Sequence, residues 1–249
     1  MTILRTVSFL LLHAASTFAF AQSDPRAIQE EDKFVRPILI VPPDFPKREP
    51  TDKLPVEIRV SGGVSEDGMM DSPEFSPLEG NEKFIRAIKE VLPLWRFRPA
   101  VSEKSCAPVV SNGVLLVWFE EKDGSPSVSV STPQKKPVSE PVDSKPRDVP
   151  RTFVTRPKVE YPISARRLDM EGLVELLFTV NHQGEALQTK VLYSIPHKVF
   201  GEAALAGSRR VKFSSGAPEE DAQKTVCILL PIRYCLTAIP NAACANRRP

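Results

Sequence analysis

Histidine and glycine are scarce in this chain, and its acids and bases cancel. The three histidines are His13, His182 and His197. The first sits in an apolar N-terminal stretch and the others in a turn and a loop, so neither a metal set nor a catalytic triad can be assembled from them. GxSxG, P-loop and HExxH motifs are absent. Glu219, Glu220 and Asp221 read as a solvated acidic loop rather than paired catalytic carboxylates. No catalytic residue, metal ligand or cofactor is expected, and a secreted hydrolase would have no site to work with. Lys and Arg number 33 against 31 Asp and Glu, so no net field recruits nucleic acid or an acidic membrane. There is no CxxC, which excludes zinc ribbons and thioredoxin-like chemistry. Beyond the N-terminus no stretch is apolar for the roughly 18 residues a membrane span requires.

Proline, by contrast, is abundant at 25 residues against 11 glycines. The prolines cluster at Pro37–Pro55 and Pro126–Pro150, a pattern of stiff extended spacers around compact units. The N-terminus has the form of an export signal. Arg5 supplies the positive start, "TVSFLLLHAASTFAF" the apolar stretch, and Ala19-Phe20-Ala21 a small-x-small cleavage site before Gln22. A cleaved signal over residues 1–21 is the reading, with a short retained anchor as its alternative. The mature chain is then extracytoplasmic, where disulfides persist. Cys227 and Cys235 lie on one expected strand about 26 Å apart, too far to bond. Two pairings of the four cysteines survive, Cys106–Cys227 with Cys235–Cys244 or Cys106–Cys235 with Cys227–Cys244, and unpaired thiols are the alternative to both.

A repeat runs through the chain at a fixed offset. Phe84 and Phe200 stand 116 residues apart, as do Ala87 and Ala203, Phe97 and Phe213, Gly68 and Gly184, and Val64 and Val180. The same offset aligns Ile58 with Val174, Leu116 with Ile232, and Trp118 with Tyr234. It is read here as two copies of one domain. In the second, Val174, Leu176, Phe178 and Val180 alternate with Glu175, Leu177 and Thr179, a strand with one buried face. "NHQG" makes a hairpin turn, and Leu187, Thr189, Val191 and Tyr193 return. Phe200, Ala203, Ala204, Gly207 and Val211 mark one face of a helix. Ile228, Leu230, Ile232 and Tyr234 alternate as the last strand. "ISARRLD" suits a short helix before all of these. The first copy repeats the plan with a weak return strand around Met69–Phe75, a helix that Pro93 must end or kink, and no counterpart of the short helix. The expected fold is α+β: two copies of a small three-stranded antiparallel sheet with helix packed on one face, joined by a Pro-rich linker. The boundaries are 22–123 for the degenerate first domain, 124–150 for the linker, 151–240 for the second domain and 241–249 for a tail.

The second copy resembles the C-terminal domain of the TonB family, the periplasmic energy transducers of Gram-negative envelopes. Tyr161, Pro162, Ala165, Arg166, Gly172, Val174, Phe178, Val180, Gly184, Phe200, Ala203, Ala204, Phe213 and Tyr234 follow the family's order and spacing. In the first copy "WRFRPA" (Trp95–Ala100) is closer to the family's exit motif than "VKFSSGAP" in the second. The resemblance implies a periplasmic protein that adds the N-terminal segment of an outer-membrane receptor as a strand to its sheet edge. On that reading Val226, Ile228, Leu230, Ile232 and Tyr234 form the partner-binding edge strand, and Lys158, Tyr161, Pro162 and Arg166 the entry motif beside it. Pro231 argues for an edge independently, since a central strand cannot spare a ladder donor.

The chain departs from a transducer at its N-terminus. Family members present a Ser and a His one helical turn apart to an inner-membrane motor; Ser8 and His13 are five apart, about 140° off a common face. The motor is therefore a partner only if the N-terminus is retained. The linker could extend to roughly 80 Å, yet it separates two domains instead of preceding one. Its mixed charges solvate it, and the cell wall is a further candidate partner. The alternative to an energy-coupled protein is a periplasmic protein-interaction or cell-wall adaptor.

Overall fold

The computed structural model describes residues 18–22, 24–49, 52–133, 151–216 and 225–236. Over these the chain is α+β, mostly strands with few short helices, in several small antiparallel sheets. Among the described residues no helix is long and apolar enough to cross a membrane. Ser8, His13 and Glu219–Asp221 lie outside them.

In chain order the first half contains β1 (Phe18–Gln22), β2 (Arg26–Ala27), β3 (Arg36–Leu39), β4 (Val56–Val64), β5 (Met70–Ser76) and α1 (Glu82–Val91). It continues with β6 (Arg96–Arg98), β7 (Ala100–Ser102), β8 (Ala107–Val109), β9 (Ser111–Lys122) and β10 (Ser125–Ser131). Strand order is β10-β9-β4-β5. Ile58, Val60 and Val64 on β4 and Leu115, Val117 and Phe119 on β9 point to one face, where Phe84 and Ile88 of α1 close the core. Pro93 ends the helix as expected, converting its exit into a 3-10 turn at Leu92–Leu94. Trp95 is buried behind that turn and donates its indole N–H to Val41 O at 2.8 Å.

The second half contains β11 (Phe153–Thr155), α2 (Ile163–Arg167), β12 (Gly172–Val180), β13 (Ala186–Ile195), α3 (Lys198–Gly207), β14 (Lys212–Phe213) and β15 (Val226–Leu236). Its sheet runs β1-β15-β12-β13, with β2 also paired to β15. Val174, Leu176, Phe178, Ile228, Leu230, Ile232 and Tyr234 meet Phe200 and Ala204 of α3. His197 caps α3, its Nδ1 accepting from Val199 N at 3.2 Å. Gly172 has no room for a Cβ, which would stand 2.5 Å from the Phe200 ring.

The two halves share pairings at the predicted offset. Pro37 pairs with Phe97 and Phe153 with Phe213; Leu39 pairs with Arg96 and Thr155 with Lys212. Val64 pairs with Met70, and Val180 with Ala186. In the last strand the offset slips by one. Val60 pairs with Leu115, and Leu176 with Leu230. The inward residues of β9 are thus Leu115, Val117 and Phe119, not Leu116 and Trp118. Because side chains alternate, one residue of slip exchanges the two faces of a strand.

Three further expectations change. Each sheet exceeds three strands: β10 is added outside β9, and β1 and β2 outside β15. The spacer expected from Gly124 begins later, since Ser125–Ser131 is sheet and residues 134–150 lie outside the described ones. Finally, β12 and β15 are buried on both faces instead of one. Val101 and Cys106 from the β7–β8 hairpin, with Ile28, cover Leu177, Leu192, Cys227 and Leu229 on the face opposite α3.

Candidate strand-acceptor edge

Each half presents its last long strand with one side paired to the core strands and the other turned outward, where backbone N–H and C=O groups can pair with a further strand. On β9 that outer side is occupied by β10, folded back across the Lys122–Ser125 turn with Phe119 opposite Val128 and Val117 opposite Val130. On β15 it is occupied from two directions. Ala27 and Arg26 stand opposite Ile228 and Leu229. Gln22, Ala21, Phe20, Ala19 and Phe18 stand opposite Ile232 through Leu236. Pro231 falls between these two patches. The strand expected to be open is therefore filled by the chain's own N-terminal segment.

The predicted edge residues Val226, Ile228, Leu230, Ile232 and Tyr234 all belong to β15, and all five side chains are buried in the core. What they can offer a partner is main chain. Burial pushes the Tyr234 hydroxyl well above the usual phenol range, and it donates to Phe200 O at 2.9 Å. Leu236 N donates to Glu171 Oε1 at 2.9 Å, tying the end of β15 to the start of β12.

The entry motif packs beside this strand. The Tyr161 ring meets Tyr234 edge-on at 5.6 Å and Phe200 at 6.0 Å, and its hydroxyl donates to Met170 O at 2.5 Å. Burial, with Glu171 and Asp169 nearby, raises its pKa. Pro162 is the N-cap of α2 with extended φ and ψ, suited to entering a helix. Lys158 N donates to Gly207 O at 3.0 Å, and a Cβ on Gly207 would stand 2.4 Å from Lys158 O. Tyr161 thus braces the domain from within and Pro162 starts α2, while the Lys158 and Arg166 side chains are exposed.

Against the other face of the sheet lies an ion cluster that periodicity did not reveal. Arg98 Nε donates to Glu175 Oε2 at 2.5 Å, and Arg98 Nη2 lies 3.1 Å from Asp32 Oδ1. Arg26 grips both Asp32 oxygens at 2.5 and 2.9 Å, and Gln29 N donates to Asp32 Oδ2 at 2.9 Å. Asp32, Arg98 and Glu175 are all buried. Burial alone would raise the pKa of Asp32. The Arg26 hydrogen bonds, the Gln29 N–H and the Arg98 charge outweigh it and hold the carboxyl below its usual range. Tyr193, half-buried and opposite Glu175, is pushed up to about 12 by burial and by the Glu175 charge. The cluster joins the segment containing β2 to both halves. Glu175 was read as solvent-facing, but its position meets Arg98 of the "WRFRP" stretch.

Cys106 and Cys227 are disulfide-bonded with Cα atoms 5.3 Å apart. This selects the first of the two surviving pairings. No described cysteine is free; Cys244, the expected partner of Cys235, lies outside the described residues. Among the described residues no group of three or more His, Cys, Asp or Glu could hold a metal.

A strand hairpin, a helix across it and a last strand returning beside the first define a small ββαβ sandwich that can exchange main-chain hydrogen bonds at its outer edge. Residues 157–236 match the family described as Gram-negative bacterial TonB protein C-terminal. The second half is thus a single TonB C-terminal domain, of a non-enzymatic family, and the match does not extend to the first half. No curated protein matches the chain.

Proposed function

We propose that this protein works in the Gram-negative periplasm, where its C-terminal domain binds the N-terminal segment of an outer-membrane receptor by strand addition in TonB-dependent transport. The observation that carries this is the outer side of β15, which already accepts added strands along Ile228–Leu229 and Ile232–Leu236. Strand addition draws its affinity from backbone hydrogen bonds and its selectivity from alternate side chains. Lys158 and Arg166, exposed beside α2, are the side chains that meet the partner flanking the strand.

The first half is a divergent copy of the same domain. Its shared pairings at Phe97 and Phe213 support this, as does the recurrence of α1 and α3 at one offset. With β10 on β9, that copy has no open last strand to offer.

A second reading, an interaction adaptor without energy coupling, draws on the Cys106–Cys227 bond. It fastens the two halves together, so the proline-rich residues between them cannot hold one domain away from the other. The test is calorimetric titration of the oxidised chain from Gln22 with a synthetic N-terminal segment of an outer-membrane receptor. Amide exchange along Ile232–Leu236 is read in the same samples. Binding with slowed exchange there supports receptor engagement. No binding removes it and leaves the adaptor.

A further inference from the structure

The outer side of β15 is divided, and its two patches differ in how firmly they are held. At Ile228–Leu229 the occupant is β2, whose Arg26 is clamped by Asp32 and lies 3.8 Å from Glu175. At Ile232–Leu236 the occupant is the five-residue β1, Phe18–Gln22. All but the last residue of β1 precede the Ala21–Gln22 bond that ends the small-x-small site at Ala19-Phe20-Ala21. The first half carries a permanent version of the same arrangement. β10 covers Leu116–Lys122 antiparallel and is covalently continuous with β9. In register, with the slip of one, that stretch corresponds to Pro231 onwards, of which β1 covers Ile232–Leu236.

We propose that Phe18–Gln22 is a built-in occupant of the acceptor edge, so that only the chain beginning at Gln22 can take a partner's strand. This rests on the strand-addition reading above and adds what controls it. Hydrolysis of the Ala21–Gln22 peptide bond by an envelope processing protease consumes one water, leaving a carboxylate on Ala21 and an amine on Gln22. Four of the five residues of β1 leave with the N-terminal piece, and a single paired residue cannot hold a strand in place. β2 remains, held by Asp32, so the edge that opens is confined to Ile232–Leu236. The ligand that fits is an extended peptide with about five residues in the ladder, a length of roughly 17 Å. Its alternate side chains stand beside Ile232 and Tyr234, as Val128 and Val130 of β10 stand beside Phe119 and Val117. A chain that keeps its N-terminus keeps its edge closed.

The test compares oxidised Met1–Pro249 with oxidised Gln22–Pro249. Hydrogen exchange is measured along β15, and the probe is a fluorescent peptide of residues 16–24, STFAFAQSD. In the full chain the Ile232–Leu236 ladder amides exchange slowly and the probe does not bind. In the shorter chain they exchange roughly tenfold faster or more, and the probe binds and restores their protection. Ala19→Pro and Phe20→Pro are made singly in the full chain. One of them removes a ladder donor whichever way β1 is phased, and that variant behaves like the shorter chain. Equal exchange in the two chains overturns the proposal without touching strand addition. So does a receptor segment that binds both chains equally, and it leaves strand addition standing. The expected exchange with no binding of any receptor segment keeps the occupant and removes the receptor reading.

Discussion

Phe213 donates its backbone N–H to the carbonyl of Gly184 at 2.8 Å, and Phe97 does the same to Gly68 at 2.9 Å. Each glycine turns its hairpin with positive φ, +81° and +74°, while the strand leaving the helix passes directly over it. A Cβ would stand 2.0 Å from Phe213 O in one case and 2.2 Å from Phe97 O in the other. These contacts lock the hairpin turn to the exit of the helix in both halves.

Gly184→Ala is therefore expected to cost more than backbone strain alone. Gly124 supplies the control, with φ +74° and nothing within 4 Å of its would-be Cβ. Gly124→Ala should lose about 1–2 kcal/mol, the cost of a left-handed alanine. Gly184→Ala should lose that and about 1–3 kcal/mol more from the forced shift of Phe213. Urea unfolding of both variants checks this, and equal losses would show that the close approach is relieved freely.

Arg98→Met takes a partner from two buried carboxylates at once: Glu175 loses its hydrogen-bonded arginine, while Asp32 keeps Arg26 and the Gln29 N–H. Removing one partner from a buried ion pair costs about 3–5 kcal/mol. Combining it with Glu175→Leu, which removes one of those carboxylates, should cost clearly less than the sum of the single changes. A double-mutant cycle by guanidinium unfolding reads the coupling, which is expected at about 0.5–3 kcal/mol. Strict additivity would mean that Arg98 and Glu175 contribute separately.

The depressed pKa of Asp32 fixes the sign of a pH effect. The folded carboxyl releases its proton below the ordinary value of 3.8, so the unfolded chain binds more protons through that window. Stability from this group is fully present above the unfolded pKa and is lost as pH falls through the folded one. The stability advantage of the native chain over Asp32→Asn should accordingly be constant from about pH 6 to 5 and shrink toward pH 3. Denaturation midpoints at those pH values measure it. An advantage unchanged at pH 3 would place the group's role elsewhere than in its charge.

Local periodicity made much of each core legible. Phe84, Phe97, Val174, Leu176, Phe178, Phe200 and Tyr234 are inward because alternation and helical spacing record which face is apolar. The same signal misplaced the last strand of the first half. Val114, Leu115, Leu116, Val117, Trp118 and Phe119 are apolar without a break, and such a run does not say which face is inside. What lay out of reach was long-range. Leu177 and Leu229 carried a trace of it, since they are apolar where a half-exposed sheet would be polar. Near them only the candidate Cys106–Cys227 pairing pointed to the hairpin at Val101–Cys106 as their cover. β1 was hidden differently, because a segment read as an export signal is not expected to lie in a sheet. The Val-Ser alternation of β10 was present in the sequence but sat among the prolines of the expected spacer.

The bond between Cys106 and Cys227 encloses everything from residue 107 to residue 226 in one covalent loop, the proline-rich segment included. A load applied between the N-terminus and a strand held on β15 then has a short path, from Cys227 across the sulfurs to Cys106 and back toward β4. The covalent route through the disulfide bypasses the proline-rich segment. Tension in such a molecule is borne by the first half's sheet and the disulfide, and the proline-rich stretch sets no limit on how far the grip can reach.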